Sequence, residues 1–129
     1  MTHPNVNLLR AGYDAFGKGD LEAVRKLFSP NIVWHVAGRS PVAGTYKGID
    51  EVFGFFAEIV RRTEGTFQIE LHDVIANDQH AIAMTVDRAQ REGKTLHASG
   101  VGVYHIAGGA VTEAWFTSQD PYAEDEFWA

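Results

Sequence analysis

The sequence predicts an α+β fold, a cone-shaped barrel in which N-terminal helices pack on one face of a strongly curved antiparallel sheet. In roughly the first half of the chain, apolar side chains recur every three or four residues, as in amphipathic helices. In the second half, long β-favouring runs are separated by short turn-rich breaks, which is typical of antiparallel neighbours. A length of 129 residues predicts a single domain over residues 1–129.

Three helices are predicted ahead of these runs. The first begins near Pro4, which suits a first helical turn, and ends near Gly17, which suits a C-terminal cap. The second follows the N-cap residue Asp20 and runs through Phe28, where a Ser-Pro pair stops it. The third covers residues 49–62 and has a wide apolar face.

Five strands are predicted. The first covers residues 31–37, within the run NIVWHVAG, and a Gly- and Pro-rich loop follows it over residues 38–48. The other four strands are expected at residues 66–76, 80–91, 95–106 and 110–118. A sheet of this kind encloses a cavity whose mouth is the expected ligand site.

Composition excludes several classes of function. The formal net charge of −6 argues against nucleic acid or an anionic membrane surface as a partner. The absence of cysteine excludes thiol nucleophiles, disulfides and Cys-ligated metals, and it is compatible with a reducing cytoplasm. The N-terminus lacks the pattern of a signal peptide, and the histidines are too scattered to predict a metal site. We therefore expect a cytoplasmic protein without metal.

The order of the motifs resembles the nuclear-transport-factor-2-like superfamily, and within it the SnoaL-like and ketosteroid-isomerase-like branch. The motifs are GDLEAVRKLF, VWHVAG, PVAGTYKGIDEVFGFF, LHDVIANDQHAIA and HIAGGAVTEAWFTSQD. The resemblance covers nearly the whole chain. It implies a cone-shaped α+β barrel, a deep apolar pocket, no cofactor and a homodimer formed across the sheet. Because this fold hosts isomerases, cyclases, dehydratases, epoxide hydrolases and non-catalytic binders, it does not select one activity.

The residues of ketosteroid isomerases are missing in this register. The position of their aspartate base falls on Val36, and that of their protonated aspartate falls on Gly100. The position of their tyrosine falls on Gly12, next to Tyr13. Valine cannot accept a proton from carbon, so ketosteroid isomerisation is not expected. The Arg-x-Asp pair of the epoxide hydrolases is also absent, since residues 98–100 read Ala-Ser-Gly.

The same register predicts which strand residues face the cone, and two helix residues complete the site. The predicted ligand-binding residues are Tyr13, Trp34, Val36, Phe56, Asp87, Gly100, Tyr104, Trp115 and Thr117. Small residues leave room between them, and the tryptophans offer flat apolar walls, which suits a planar apolar ligand. The alternative is that the aromatic side chains are simply core.

Three residues are candidates for catalysis. Glu113 lies in an otherwise apolar strand, where burial would raise its pKa and make it a general acid or base; facing outward, it would be a solvated or dimer-contact residue. Asp120 resembles the late acid–base aspartate of SnoaL-like cyclases, but it is also a natural turn residue before Pro121. His35 can exchange protons near neutral pH, although alternation points it away from Trp34.

Two functions remain open. The first is a cofactor-free acid–base enzyme, of isomerase, cyclase or hydratase/dehydratase type, that acts on a small apolar substrate in the cone. The second is a non-catalytic binder of an apolar metabolite or of a partner's hydrophobic segment. In the C-terminal tail, Phe127 and Trp128 are expected to form a lid or a dimer contact.

Overall fold

The computed structural model describes residues 2–129, and it confirms the α+β plan. The elements are α1 Pro4–Gly17, α2 Leu21–Arg25, β1 Phe28–Val36, β2 Gly44–Lys47, α3 Ile49–Arg62, β3 Gln68–Ala76, β4 His80–Arg91, β5 Lys94–Ala107, β6 Ala110–Ser118 and α4 Pro121–Trp128. The strands form one curved six-stranded sheet in the order β2-β1-β6-β5-β4-β3. Within residues 2–129, no helix is long and apolar enough to cross a membrane.

The sheet is mixed, which corrects the expectation of a purely antiparallel one. The four C-terminal strands pair antiparallel in sequence order, as predicted. Strand β1, however, lies parallel to β6, with Val33 beside Glu113 and Val36 beside Phe116. No short turn joins these two strands, so hairpin geometry does not dictate their relative direction.

The second helix is shorter than predicted. Asp20 caps it as expected, accepting a hydrogen bond from the backbone N–H of Ala23 at 3.2 Å. The helix ends at Arg25, and Phe28 already belongs to β1. The carbonyl of Leu27 accepts a bond from the Val111 N–H at 2.8 Å, so pairing with β6 replaces the last helical turn.

Two elements were not predicted. Strand β2 lies in the segment expected to be a loop, and it pairs antiparallel with β1, placing Tyr46 beside Trp34. Helix α4 lies in the tail, where Asp120 caps it and Pro121 occupies its first turn. Its carbonyls accept bonds from Arg91 and from Lys94, so basic side chains of the β4–β5 hairpin hold the end of α4 against the sheet.

The core lies between the helices and one face of the sheet. Trp34, 7% exposed, packs against Phe56 of α3 and stacks on Phe116 of β6. A second cluster forms under α4, where Phe127 and Trp128 are 3% and 5% exposed. The aromatic end of the tail is therefore buried within the chain itself.

We predict opposite effects from alanine at two glycines. A Cβ at Gly102 would lie 2.8 Å from the ring of Phe116 and 3.0 Å from that of Tyr104. Gly102→Ala should therefore destabilise the protein by about 1–3 kcal/mol, because these packed rings must move. A Cβ at Gly54, inside α3, meets nothing within 4 Å. Gly54→Ala should stabilise the protein by about 0.5–1 kcal/mol through helix propensity.

Urea unfolding of both variants beside the wild type measures these changes. If Gly102→Ala were as stable as the wild type, the packing of the two rings on the β5 backbone would not be as described.

Candidate functional site

A cavity of about 490 Å³ lies between the helices and the sheet, a size typical of small-molecule sites. Its walls are mostly apolar and rich in aromatic side chains. The ring walls come from Phe16, Phe28, Trp34, Phe55, Phe56, Tyr104 and Phe116. An apolar ligand in this cavity would exchange contact with water for contact with apolar side chains. This exchange is the main source of affinity for an apolar ligand.

Asp87, on β4, is one of two carboxylates buried against this cavity. Its neighbour across the β4–β5 pair is Ala98, and the next cavity-facing pair is Thr85 with Gly100, so small residues leave room beside the carboxylate. The Oδ1 atom is buried and has no hydrogen-bond partner within residues 2–129. Burial raises the pKa of Asp87 to about 6, and the Thr85 hydroxyl opposes the shift only in part.

Glu124, on α4, is the second carboxylate. Its Oε2 atom is also buried without a partner among the described residues. Burial raises the pKa of Glu124 to about 7, and the charge of Asp87 adds to the shift, while a hydrogen bond from Trp128 lowers it. The negative charge of Asp87 therefore makes Glu124 harder to ionise.

Two tyrosine hydroxyls form the third polar feature. The hydroxyl oxygens of Tyr13 on α1 and Tyr104 on β5 are 2.5 Å apart, and the rings meet edge to face. Burial raises the pKa of both phenols, so both stay protonated at neutral pH. Since only one hydroxyl can donate within the pair, the other O–H is available to an oxygen atom in the cavity.

Most of the predicted ligand-binding residues border this cavity. They are Tyr13, Trp34, Val36, Phe56, Asp87, Gly100, Tyr104 and Thr117. Thr117 differs from the rest because it lies on the opposite face of the sheet. Its neighbours Phe116 and Ser118 lie on the face of Val36 and Gly100. Its own side chain is exposed.

The prediction of which β6 side chains point into the cavity is wrong by one residue. Ala114 lies beside Trp34, and Phe116 lies beside Val36, so Glu113 and Trp115 are on the opposite, outer face of the sheet. A register shift between His105 and Ile106 changes the alignment that the sequence suggested. Because side chains alternate, a slip of one residue moves every side chain to the other face.

The three predicted catalytic residues lie outside the cavity. On the outer face, His35 Nε2 is 2.6 Å from Glu113 Oε2, and His35 Nδ1 is 3.1 Å from the Thr45 hydroxyl. The His35 ring also stacks on Trp115, with centroids 5.3 Å apart. Asp120 is exposed and caps α4, accepting a bond from the Ala123 N–H at 3.1 Å.

Several residues of the cavity lining were missed by the sequence analysis, among them Phe116 and Glu124. Phe116 was missed because of the slip in β6. Glu124 could have been found from the Asp-Pro pair at 120–121, which is a helix-start signal. In such a helix Glu124 and Trp128 share one face, four residues apart. Within residues 2–129, no group of three or more His, Cys, Asp or Glu side chains could hold a metal ion.

We predict that Asp87→Asn stabilises the folded protein in a pH-dependent way. The raised pKa means that the folded state binds the proton more tightly than the unfolded chain does. The cost of the buried charge is therefore absent at low pH and appears as the pH rises through about 6. The variant should gain about 2 kcal/mol near pH 8 and little near pH 4.

Urea unfolding at the two pH values measures this difference. Asp50→Asn is the control for the chemical change, because the Asp50 side chain is 97% exposed. It lies in the first turn of α3 and 3.8 Å from Arg25, so this variant should lose a little stability and gain none. An equal effect of Asp87→Asn at both pH values would show that shape, and not charge, is responsible.

Comparison with known proteins agrees with this fold. Residues 9–114 match the SnoaL-like domain family. The chain is 32% identical to an uncharacterised Mycobacterium tuberculosis protein, over 97% of this chain and 96% of that protein. The structure of Bal32a, from a soil-derived mobile gene cassette, matches with TM-score 0.95 and 35% identity, over 98% of this chain and 97% of Bal32a. An NTF2-like protein of unknown function from Burkholderia pseudomallei matches with TM-score 0.88 and 18% identity, over 99% of each chain. The chain therefore belongs to the SnoaL-like domain family and has the nuclear-transport-factor-2-like fold.

Proposed function

We propose that the protein is a cofactor-free acid–base enzyme, of isomerase, cyclase or hydratase/dehydratase type, that acts on a small, planar, largely apolar molecule in the cavity. The observation that carries this proposal is the buried, unpartnered Oδ1 of Asp87 in an apolar cavity. An uncompensated polar atom of this kind costs stability, and such groups cluster where a reaction uses them. The SnoaL-like family and the fold are consistent with a cyclase-type, isomerase-type or binding role.

Asp87 is the residue to which we assign the proton transfer. With its pKa raised to about 6, it is largely ionised near neutral pH and is still basic enough to accept a proton. It takes a proton from one position of the substrate and returns it to another. The free O–H of the Tyr13–Tyr104 pair donates to the substrate oxygen on which negative charge develops.

The alternative is a binding protein without chemistry. The same apolar walls would hold an apolar metabolite or a partner's hydrophobic segment. The residues of ketosteroid isomerases remain absent, since Val36 and Gly100, which border the cavity, carry no proton-transferring group. Turnover that depends on Asp87 separates the two functions.

We predict that Asp87→Asn abolishes turnover while the variant stays folded. The amide preserves the shape of the carboxylate and cannot accept the proton, so the rate should fall by at least about a hundredfold. The measurement is a thermal-shift screen of steroids, aromatic polyketides, terpenoid epoxides and flavonoids, followed by mass spectrometry of each hit. Glu113→Gln and Asp120→Asn are the controls, because both side chains lie outside the cavity.

Loss of turnover in Asp87→Asn alone supports the enzyme. Ligands that stabilise all four proteins equally, without any turnover, support the binder. Turnover that survives in Asp87→Asn and disappears in Glu113→Gln would contradict the assignment of the cavity as the active site.

We also propose a homodimer formed through the outer face of the sheet. Ile82, Val103, Trp115 and His35 lie side by side across four adjacent strands on this face. Ile82 is 39% exposed although it is apolar. A second copy that covers this row would remove its apolar surface from water.

We predict that Val103→Glu shifts the dimer toward monomer, because a carboxylate in the middle of this row would be buried against a second copy of itself. Light scattering coupled to size exclusion, over a concentration series, gives the mass. Val60→Glu is the control, since Val60 is 47% exposed on α3, away from the outer face. A wild type that is monomeric at every concentration would contradict the dimer.

A further inference from the structure

The charged side chains that line the cavity are all acidic. Within residues 2–129 they are Asp87, Glu124 and Asp125, and the lining includes no lysine, arginine or histidine. Asp125 is already occupied, because its Oδ1 accepts bonds from the backbone N–H groups of Arg39 and Ser40 at 2.9 and 3.1 Å. Asp87 and Glu124 are the two lining carboxylates with an oxygen that is buried and has no hydrogen-bond partner within residues 2–129.

The described part of the chain supplies no cation to these two groups. None of the ion pairs within residues 2–129 includes Asp87 or Glu124, although arginines and lysines pair with carboxylates elsewhere on the surface. Each carboxylate has one oxygen buried without a hydrogen-bond partner. Two such oxygens at one cavity leave a site of negative potential that lacks its positive complement.

The aromatic walls favour the same kind of ligand. Trp34 and Phe116 stack with centroids 4.4 Å apart, and Tyr104 meets both rings edge to face. Ring faces attract cations as well as flat hydrocarbon surfaces. A ligand that lies against these rings and carries a positive group would match both the aromatic walls and the carboxylates.

We propose that the cavity selects an apolar amine, with its flat hydrocarbon body against the aromatic wall and its protonated nitrogen held by Asp87 and Glu124. The same charges would exclude ligands that carry a carboxylate or a phosphate. This proposal rests on the proposed function, because it names the substrate class of the same cavity.

The proposal implies a pH dependence. Asp87 is faced by Tyr13 from α1, Tyr104 from β5 and Glu124 from α4, and both phenols stay neutral. Glu124 is influenced by Asp87 and by the nearby Asp125 and Asp120. Because ionised carboxylates hold the ammonium group, affinity for the amine should rise with pH through the range in which the pair loses its protons.

The test is calorimetric titration of the full chain with three naphthalenes that differ in one group. They are 1-naphthylmethylamine, 1-naphthalenemethanol and 1-naphthoate. Near pH 8 the amine should bind at least about tenfold more tightly than the alcohol, and naphthoate should not bind measurably. Near pH 5 the preference for the amine should shrink, because the carboxylates become protonated.

Two variants and their matched controls assign the effect. Asp87→Asn and Glu124→Gln should each reduce the preference for the amine by about tenfold and leave the affinity for the alcohol nearly unchanged. Asp50→Asn and Glu113→Gln make the same chemical changes outside the cavity, and they should keep the preference.

The outcomes separate this proposal from the proposed function. If the alcohol binds as tightly as the amine, or if naphthoate binds best, the selection of amines is wrong while the cavity remains a ligand site. The same holds if the preference survives in both cavity variants. If none of the three compounds binds to protein that circular dichroism shows to be folded, the ligand cavity itself is wrong, and both proposals fail.

Discussion

The contacts of Trp34 join four parts of the molecule and decide what each face of the sheet becomes. Its ring packs 5.3 Å from Phe56 of α3, 4.4 Å from Phe116 of β6 and 6.2 Å from Tyr104 of β5, measured between centroids. Because Trp34 points toward the helices, strand alternation sends His35 outward. The side chains paired with Trp34 on neighbouring strands also point toward the helices, and those paired with His35 also point to the outer face. The aromatic wall and the outer face are thus two consequences of one orientation.

Helix α4, which carries Glu124, is held on the sheet by hydrogen bonds that do not involve the carboxylates of the cavity. The carbonyls of Phe127 and Glu126 accept bonds from Arg91 and Lys94, which fix α4 on the sheet. A buried carboxylate lowers stability when it ionises, so an unsupported helix would swing Glu124 into water. These hydrogen bonds keep Glu124 at the cavity. They thereby preserve its raised pKa, which exposure to water would remove. Stability is thereby exchanged for a carboxylate whose pKa is raised.

The sequence predicted the fold well because its signals are local, and it predicted the site less well because the site depends on distant contacts. The apolar periods located the first three helices and the last four strands, and Trp34 of β1 points inward as expected, but α4 was missed. The facing of β6 failed because a register shift near His105 has no marker in the sequence. Strand β2 depends on its partner β1, which lies earlier in the chain. Asp87 was predicted to bind ligand and borders the cavity, whereas the position of Glu124 depends on where α4 packs.

The absence of a side chain at Gly100 explains how the buried carboxylate of Asp87 fits beside this position. In the resemblance to ketosteroid isomerases, Gly100 takes the position of an aspartate. A Cβ at Gly100 would lie 3.3 Å from the Thr117 carbonyl, 3.4 Å from Thr85 Oγ1 and 3.7 Å from Asp87 Oδ2. A larger side chain there would occupy the space beside the Asp87 carboxylate. An acidic one would place two like charges in contact, of which only one could ionise near neutral pH. The absence of a side chain at Gly100 on β5 therefore leaves the space beside Thr85 and Thr117 to the carboxylate of Asp87 on β4.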